Sequence, residues 1–139
     1  MSHYLYLTTS KAVESFSENN KMYLINLPEN IMLSEKNWEL ALLECELPSV
    51  GANATVYLTC DIVEPMLVFS KFVSFIRKLH FTKKNRKRIE FESPYYFKIR
   101  NNIKSIRFLK VNLIACGEDK IPVFTKPLNL LLHLRESEK

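Results

Sequence analysis

Glycine is almost absent from this chain of 139 residues, in which only Gly51 and Gly117 occur. Two isolated glycines exclude the glycine-rich loop that cradles phosphates, the dinucleotide-binding fingerprint and the G-x-S-x-G turn of many hydrolases. Because tight turns need residues that tolerate positive φ, we expect asparagine to take part of that role here.

Histidine and cysteine are also scarce, with three of each. The histidines lie far apart and none falls in a metal-binding or catalytic spacing. The cysteines are an odd number without C-x-x-C spacing, which favours buried free thiols in a reducing compartment over a disulfide framework. We therefore expect no enzymatic activity, no cofactor and no metal site. The residues concerned are His3, His80, His133, Cys45, Cys60 and Cys116.

Long apolar runs are missing as well. No run approaches the roughly 20 residues that a membrane span requires. The N-terminal residues lack the charged start, apolar core and cleavage site of a signal peptide. The sequence therefore predicts neither membrane insertion nor secretion.

The net charge of +5 comes from one local segment. Without the five positive residues of this basic loop the chain would be neutral. Such a run can contact phosphates without reading sequence, can act as a nuclear import signal, or can be a solvated hairpin loop that limits aggregation. Aromatic residues do not interleave with it, which argues against stacking on single strands. The residues are Lys83, Lys84, Arg86, Lys87 and Arg88.

The most informative pattern runs from Trp38 to Leu47, where apolar residues recur at a period of two on both faces of a strand, with acids interspersed. Leucine and alanine would also suit a helix, so the neighbouring segments decide the interpretation. Further segments alternate in the same way, with Thr55 to Val63 as the clearest, and Pro28, Pro48 and Pro65 are expected to end strands. Eight or nine strands without a sustained helix predict an all-β sandwich or barrel.

Two weaker predictions concern the second half of the chain. Between residues 66 and 81 the spacing of apolar residues fits both the three-to-four-residue period of a helix and the two-residue period of a strand. We therefore expect a short helical turn over residues 70–75 that leads into a strand ending near Phe81. After a polar turn at residues 116–120, we expect a hairpin strand from Ile121 to Phe124.

Several spaced pieces resemble the single jelly-roll minor capsid (penton) proteins of Polinton/Maverick elements and adintoviruses. Leu27-Pro28 followed by W-E-L-A-L-L-E-C-E-L-P resembles their "LP…W-E-V-A-L-x-E-I-x-x-P" signature, and the remaining pieces follow in family order over nearly the whole chain. Those pieces are Y-L-T-C-D-I-V-E-P, S-P-Y-Y, residues 103–122 and L-H-L-R. The positions that match are Leu27, Pro28, Trp38, Pro48, Tyr57, Asp61, Pro65, Pro94, Tyr96, His133 and Arg135.

The resemblance implies a single eight-stranded jelly-roll domain over residues 1–139, with a short N-terminal extension over about 1–20. It further implies a virion protein that forms homopentamers at five-fold vertices, beside a double jelly-roll major capsid protein. Assembly would take place in the nucleus or cytoplasm of the host cell, with genomic DNA as a further partner through the basic loop. Two alternatives stay open, a β-sandwich module that binds carbohydrate or protein and a nucleic-acid-binding protein acting through residues 83–88.

Overall fold

The computed structural model describes residues 2–17, 20–34, 36–68, 70–84, 86–116 and 120–137. These residues contain twelve strands and one short 3-10 helix, Thr9–Lys11. The strands are β1 Ser2–Thr8, β2 Val13–Ser17, β3 Asn20–Met32, β4 Trp38–Leu47, β5 Ala54–Cys60, β6 Met66–Val68, β7 Lys71–Val73, β8 Phe75–Phe81, β9 Lys87–Glu90, β10 Phe97–Lys98, β11 Ser105–Ala115 and β12 Asn129–Glu136. No helix within the described ranges is long and apolar enough to cross a membrane.

The strands form two antiparallel sheets and one separate hairpin. The first sheet has the order β1-β12-β4, and β9 and β10 both pair with the remaining edge of β4. The second sheet has the order β2-β3-β11-β5-β8, and β6 pairs only with β7. In this way β1 and β10 lie at opposite edges of the first sheet.

The path of the chain between the sheets is that of a jelly-roll. Strands β1, β4, β9 and β12 belong to the first sheet, whereas β3, β5, β8 and β11 belong to the second. The all-β antiparallel sandwich predicted from sequence is confirmed. The predicted count of eight strands is not confirmed, since the described residues contain twelve. The stretch expected as an N-terminal extension contributes β1 and β2 to the sheets.

The core lies between the sheets because alternate side chains of each strand point inward. Trp38, Leu40 and Leu42 of β4 are at most 4% exposed. The pairing of β4 with β12 shifts register between Leu131 and Leu132, so that the inward positions of β4 continue at Cys45 and Leu47. A bulge of this kind adds one residue to a strand, which explains why apolar residues occupy both phases of the W-E-L-A-L-L pattern.

Two local predictions are wrong. Residues 71–73 form β7 in place of a helical turn, and β8 begins at Phe75. Cross-strand pairing of Leu67 with Phe72 closes the β6–β7 hairpin and satisfies backbone groups that a helix would otherwise pair internally. Residues 121–124 are not a strand, although Ile121 is buried against the core.

Pro28 does not end its strand, since β3 continues to Met32. The pairing of β3 with β11 shifts register between Ile106 and Phe108, and Pro28 lies in that irregularity. A proline lacks the N–H group that a regular ladder needs, and a bulge is one of the places where a sheet tolerates it. Pro48, by contrast, directly follows the end of β4, as predicted. Pro65 does not end β5, which stops at Cys60, and it directly precedes β6.

Candidate functional site

An aromatic cluster on the outer face of the first sheet brings together three of the family-like positions. The hydroxyl oxygen of Tyr96 and the Nδ1 atom of His133 share a hydrogen bond of 2.8 Å. The guanidinium carbon of Arg135 lies 3.5 Å from the centre of the Tyr96 ring. Arg135 also donates from Nε to Glu39 at 2.7 Å. Tyr4 of the neighbouring strand stacks on His133, with ring centres 4.4 Å apart and planes 5° from parallel.

The imidazole of His133 lies in a setting that disfavours a positive charge. Its Nε2 atom is buried and has no hydrogen-bond partner within the described part of the chain. Burial lowers the pKa of His133, and the charge of Arg135 lowers it further, while Glu39 acts in the opposite direction. The cluster is therefore an arrangement of a neutral imidazole between two tyrosines, suited to packing rather than to proton transfer.

Trp38 anchors the same end of the sheet. Its indole Nε1 donates to Ser34 Oγ at 3.1 Å, and the ring stacks on His3 with centres 6.0 Å apart. Ser34 in turn donates to Glu136 at 3.4 Å, next to the end of β12. Trp38 is only 4% exposed, and its one polar atom has a hydrogen-bond partner. The only tryptophan of the sequence is therefore a core residue.

Asp61 ties the turn after β5 to β11 of the second sheet and to Arg100, which follows β10 of the first sheet. Its Oδ1 accepts the backbone N–H of Lys110 at 3.0 Å, and its backbone carbonyl accepts Nε of Arg100 at 2.9 Å. Arg100 also donates to Ser74 at 2.9 Å. Asp61 is thus a residue that fixes a turn, and sequence reasoning did not identify its partner Arg100.

The other family-like positions are dispersed. Leu27 and Pro48 are buried, whereas Pro28 and Pro65 are exposed. Tyr57 lies on the outer side of β5, where its ring meets the edge of Phe75 at 5.7 Å, and Pro94 lies in the connection before β10. These positions act through the fold and form no common site.

The basic loop divides into two groups with different surroundings. Arg86 donates to Glu46 at 2.7 Å, while Arg88 forms an ion pair with Glu44 and a second with Glu90 at 3.1 Å. The hydrogen bond from Arg86 lowers the pKa of the Glu46 carboxyl. The arginines are therefore bound to carboxylates of β4 and β9, and their charge is compensated locally.

The three lysines of the loop have different surroundings from the arginines. Among the described residues, none of Lys83, Lys84 and Lys87 has a carboxylate partner. Together with Asn53 and Thr82 they line an open concavity of about 570 Å³ at one end of the sandwich. The backbone N–H of Lys83 donates to Asn53 Oδ1 at 2.8 Å, which holds the start of the loop against the β4–β5 connection.

Exposed apolar side chains form two further surfaces that sequence reasoning did not identify. The first, called here the tyrosine edge, consists of Tyr4 and Tyr6 of β1, which are 65% and 63% exposed. The second, the β6–β7 hairpin, presents Leu67 at 58% and Phe72 at 73% exposure. The sequence signal was present in the high apolar content of residues 66–73, which only Ser70 and Lys71 interrupt, but its two possible periods concealed which residues reach the surface.

No group of three His, Cys, Asp or Glu side chains that could hold a metal ion is found in the described ranges. The arrangement offers paired charges, stacked rings and exposed apolar patches. Such features suit recognition and assembly.

No protein-family model matches the chain, and no curated protein matches it. Among solved structures, one similar chain belongs to the structure of infectious bursal disease virus, Gt strain. The similarity covers 99% of this chain and 37% of that chain, at 10% identity and a TM-score of 0.29. This chain therefore spans little more than a third of the viral one, and a similarity at this level carries no argument about function.

Proposed function

We propose that this protein is a structural subunit of penton type, which forms a ring of five copies at the vertices of a virus-like shell. The observation that carries the proposal is the position of the two apolar surfaces. The tyrosine edge lies on β1 at one edge of the first sheet. The β6–β7 hairpin follows Val63, which bridges to Ile99 directly after β10 at the opposite edge.

Two different apolar surfaces on opposite edges are what a heterologous ring requires. In such a ring one surface of each subunit contacts a different surface of the next, whereas a two-fold dimer uses the same surface twice. In the proposed ring, Leu67 and Phe72 of one copy pack against Tyr4 and Tyr6 of its neighbour. The ordered pieces that resemble penton proteins supply the number five and the double jelly-roll major capsid protein as the neighbouring partner.

The oligomeric state in solution tests the proposal. Native mass spectrometry and light scattering should detect a species of five times the 16.3 kDa subunit mass. The double variant Leu67→Ser/Phe72→Ser should be monomeric, because it removes one contact surface. Val123→Ser is the matched control, since Val123 is 81% exposed but lies outside both surfaces. A wild-type protein that stays monomeric at high concentration would overturn the proposal.

Mixing two variants distinguishes a ring from other assemblies. Leu67→Ser/Phe72→Ser retains the tyrosine edge, and Tyr4→Ser/Tyr6→Ser retains the hairpin, so a mixture keeps one functional contact per pair. Heterologous packing therefore predicts a one-to-one heterodimer and no larger species. Each variant should remain folded, because substitutions at exposed positions usually change the free energy of unfolding by less than about 0.5 kcal/mol. A mixture that restores the full oligomer would contradict the assigned contact.

A further inference from the structure

The chain from residue 65 to residue 89 contains eight lysines and arginines and no aspartate or glutamate. Residues 48–60, which form β5 and the connection before it, also lack acids. Because β5 pairs with β8, these two acid-free segments lie side by side in the second sheet. The cations of β8 therefore have no acidic residue beside them in β5.

We infer that this surface binds the phosphate backbone of double-stranded nucleic acid through Lys78, Lys83, Lys84 and Lys87, without reading base sequence. These residues are called here the lysine surface. Lys78 and His80 alternate with the buried Leu79 and Phe81 along β8, so they lie on the outer side of the sheet. The strand then leads directly into Lys83 and Lys84 at its end.

The ion pairs decide which residues of the basic loop take part. Arg86 and Arg88 are bound to Glu46 and Glu44, and releasing them would leave carboxylates of β4 without their partners. The lysines incur no such cost. The structure thus assigns the arginines and the lysines of the K-K-N-R-K-R run different tasks, with the arginines holding β9 to β4 and the lysines facing a ligand.

The type of residue favours nucleic acid over an acidic protein. Lysine is depleted at protein interfaces, where arginine is enriched, because its strongly hydrated point charge gains little from fixed geometry. The same flexible charge suits a row of phosphates, and binding releases the counterions that surround a duplex. Asn53, Thr55 and Thr82 flank the lysines and add polar groups of the kind that contact phosphates and sugars.

Duplex is favoured over single strands because, among the described residues, no aromatic side chain lines the concavity that Lys83, Lys84 and Lys87 form. Phe81, the nearest aromatic residue in the strand, is 1% exposed and packs against Phe124 at 5.1 Å between ring centres. Base stacking contributes most of the affinity of typical single-strand binders, so its lack leaves backbone contacts as the main source of binding.

The inference does not depend on the proposed ring. Lys83 and Lys84 follow the end of β8, whereas the β6–β7 hairpin precedes its start, so the two surfaces lie at opposite ends of that strand. A single subunit can therefore bind weakly. A ring would present several lysine surfaces at once and raise the overall affinity through multivalency.

The test measures binding of the full-length chain to a fluorescent 30-base-pair duplex by anisotropy over a series of salt concentrations. At low salt, the triple variant Lys83→Gln/Lys84→Gln/Lys87→Gln should bind the duplex with an affinity at least about tenfold lower than that of the wild type. The slope of log K against log salt should fall by up to about 3, since each lost phosphate contact contributes roughly 0.9. Light scattering on the same samples reports the oligomeric state, so a failure of the ring and a failure of binding are told apart.

The matched control is Lys36→Gln/Lys98→Gln/Lys104→Gln, which removes the same charge elsewhere. Lys36 pairs with Glu136 and Lys98 with Glu64, and Lys36 and Lys104 line a small cleft beside Trp38, next to the start of β4. This variant should keep the slope of the wild type.

Two results of this comparison would overturn the inference. An equal loss of affinity in both variants would assign binding to net charge alone, and an unchanged slope in the Lys83/Lys84/Lys87 variant would show that these lysines do not contact the duplex. Competition by polyglutamate as strong as by duplex would overturn it too, in favour of an acidic protein.

Discussion

At the scale of single residues, His133 connects strands that are far apart in the chain. Its ring lies between Tyr4 and Tyr96, and these contacts exist only because β12 pairs with β1 on one side and β4 on the other. The imidazole is well packed as a neutral group. A second proton on the ring would place a positive charge beside Arg135.

This setting predicts a stability that falls in mild acid. The folded-state pKa of His133 lies below its unfolded value, so the unfolded chain binds more protons as the pH drops through the range near 6.5. The contribution is complete above that range and is lost as the pH falls below it. Urea unfolding at pH 7.5 and 5.5 should show a smaller free energy of unfolding at the lower pH, and His133→Gln should reduce this difference.

Two tyrosine variants separate the titration of His133 from general effects of acid. Tyr4→Ala removes the ring stacked on the imidazole and admits water, so it should also reduce the pH dependence although the histidine remains. Tyr6→Ala is the control, because Tyr6 has nearly the same exposure and lies two residues further along β1. Equal pH dependence in the wild type and Tyr4→Ala would show that burial of His133 is not the cause.

The sequence indicated the members of this cluster but not their contacts. Tyr96, His133 and Arg135 were each matched to short motif pieces, yet nothing in a local pattern places residue 96 against residue 133. Their contact depends on pairing between β4 and β12 and on the path of the chain around β10, which are non-local. Tyr4 belongs to the stretch expected as an N-terminal extension, and its position opposite His133 across β1 and β12 is equally non-local.

At the scale of elements, alternation succeeded where strands are long and buried on one face. The segments that became β4 and β5 have regular patterns and were predicted as strands. Between residues 66 and 81 the strand that ends at Phe81 was predicted, but the helical turn over residues 70–75 was wrong, because β6 and β7 are three residues each and expose Leu67 and Phe72. A three-residue strand is too short to establish a period, so helix and hairpin cannot be distinguished from the pattern.

The short strand β9 gives a test of how charge holds an element in place. It pairs only with β4, and Glu44 and Glu90 lie directly opposite each other across that pair. Like charges in this arrangement repel, and Arg88 contacts both. Arg88→Gln should therefore lower the free energy of unfolding in urea, whereas Lys84→Gln in the same loop should leave it unchanged.

Removing one carboxylate completes the argument for β9. In the double variant Glu44→Gln/Arg88→Gln the repulsion between Glu44 and Glu90 is absent, so the loss should be smaller than for Arg88→Gln alone. A double-mutant cycle with the single variant Glu44→Gln measures this coupling. Additive effects would mean that Arg88 does not stabilise β9 through these carboxylates.

At the scale of the whole molecule, the two sheets share one core. Buried side chains of both sheets belong to a single contiguous cluster. The first strand pairs with the last, since Ser2 of β1 lies opposite Arg135 of β12. With such non-local pairing neither sheet has a separate set of buried contacts, and the fold should unfold as one cooperative unit.

Two native cysteines allow this cooperativity to be measured without altering the chain. Cys45 lies in β4 of the first sheet and Cys60 in β5 of the second, at 1% and 2% exposure. Burial raises the pKa of Cys45 to about 11 and that of Cys60 to about 12, so in the folded protein both thiols are inaccessible and protonated at pH 8.

Pulsed alkylation across a urea series, quantified on each cysteine peptide by mass spectrometry, should give one unfolding midpoint for both cysteines. Cys116, which is only partly buried, provides the labelling reference in every sample. Labelling of Cys60 at a lower urea concentration than Cys45 would mean that the second sheet opens before the first, and the sandwich would then be two units in contact rather than one fold around a common core.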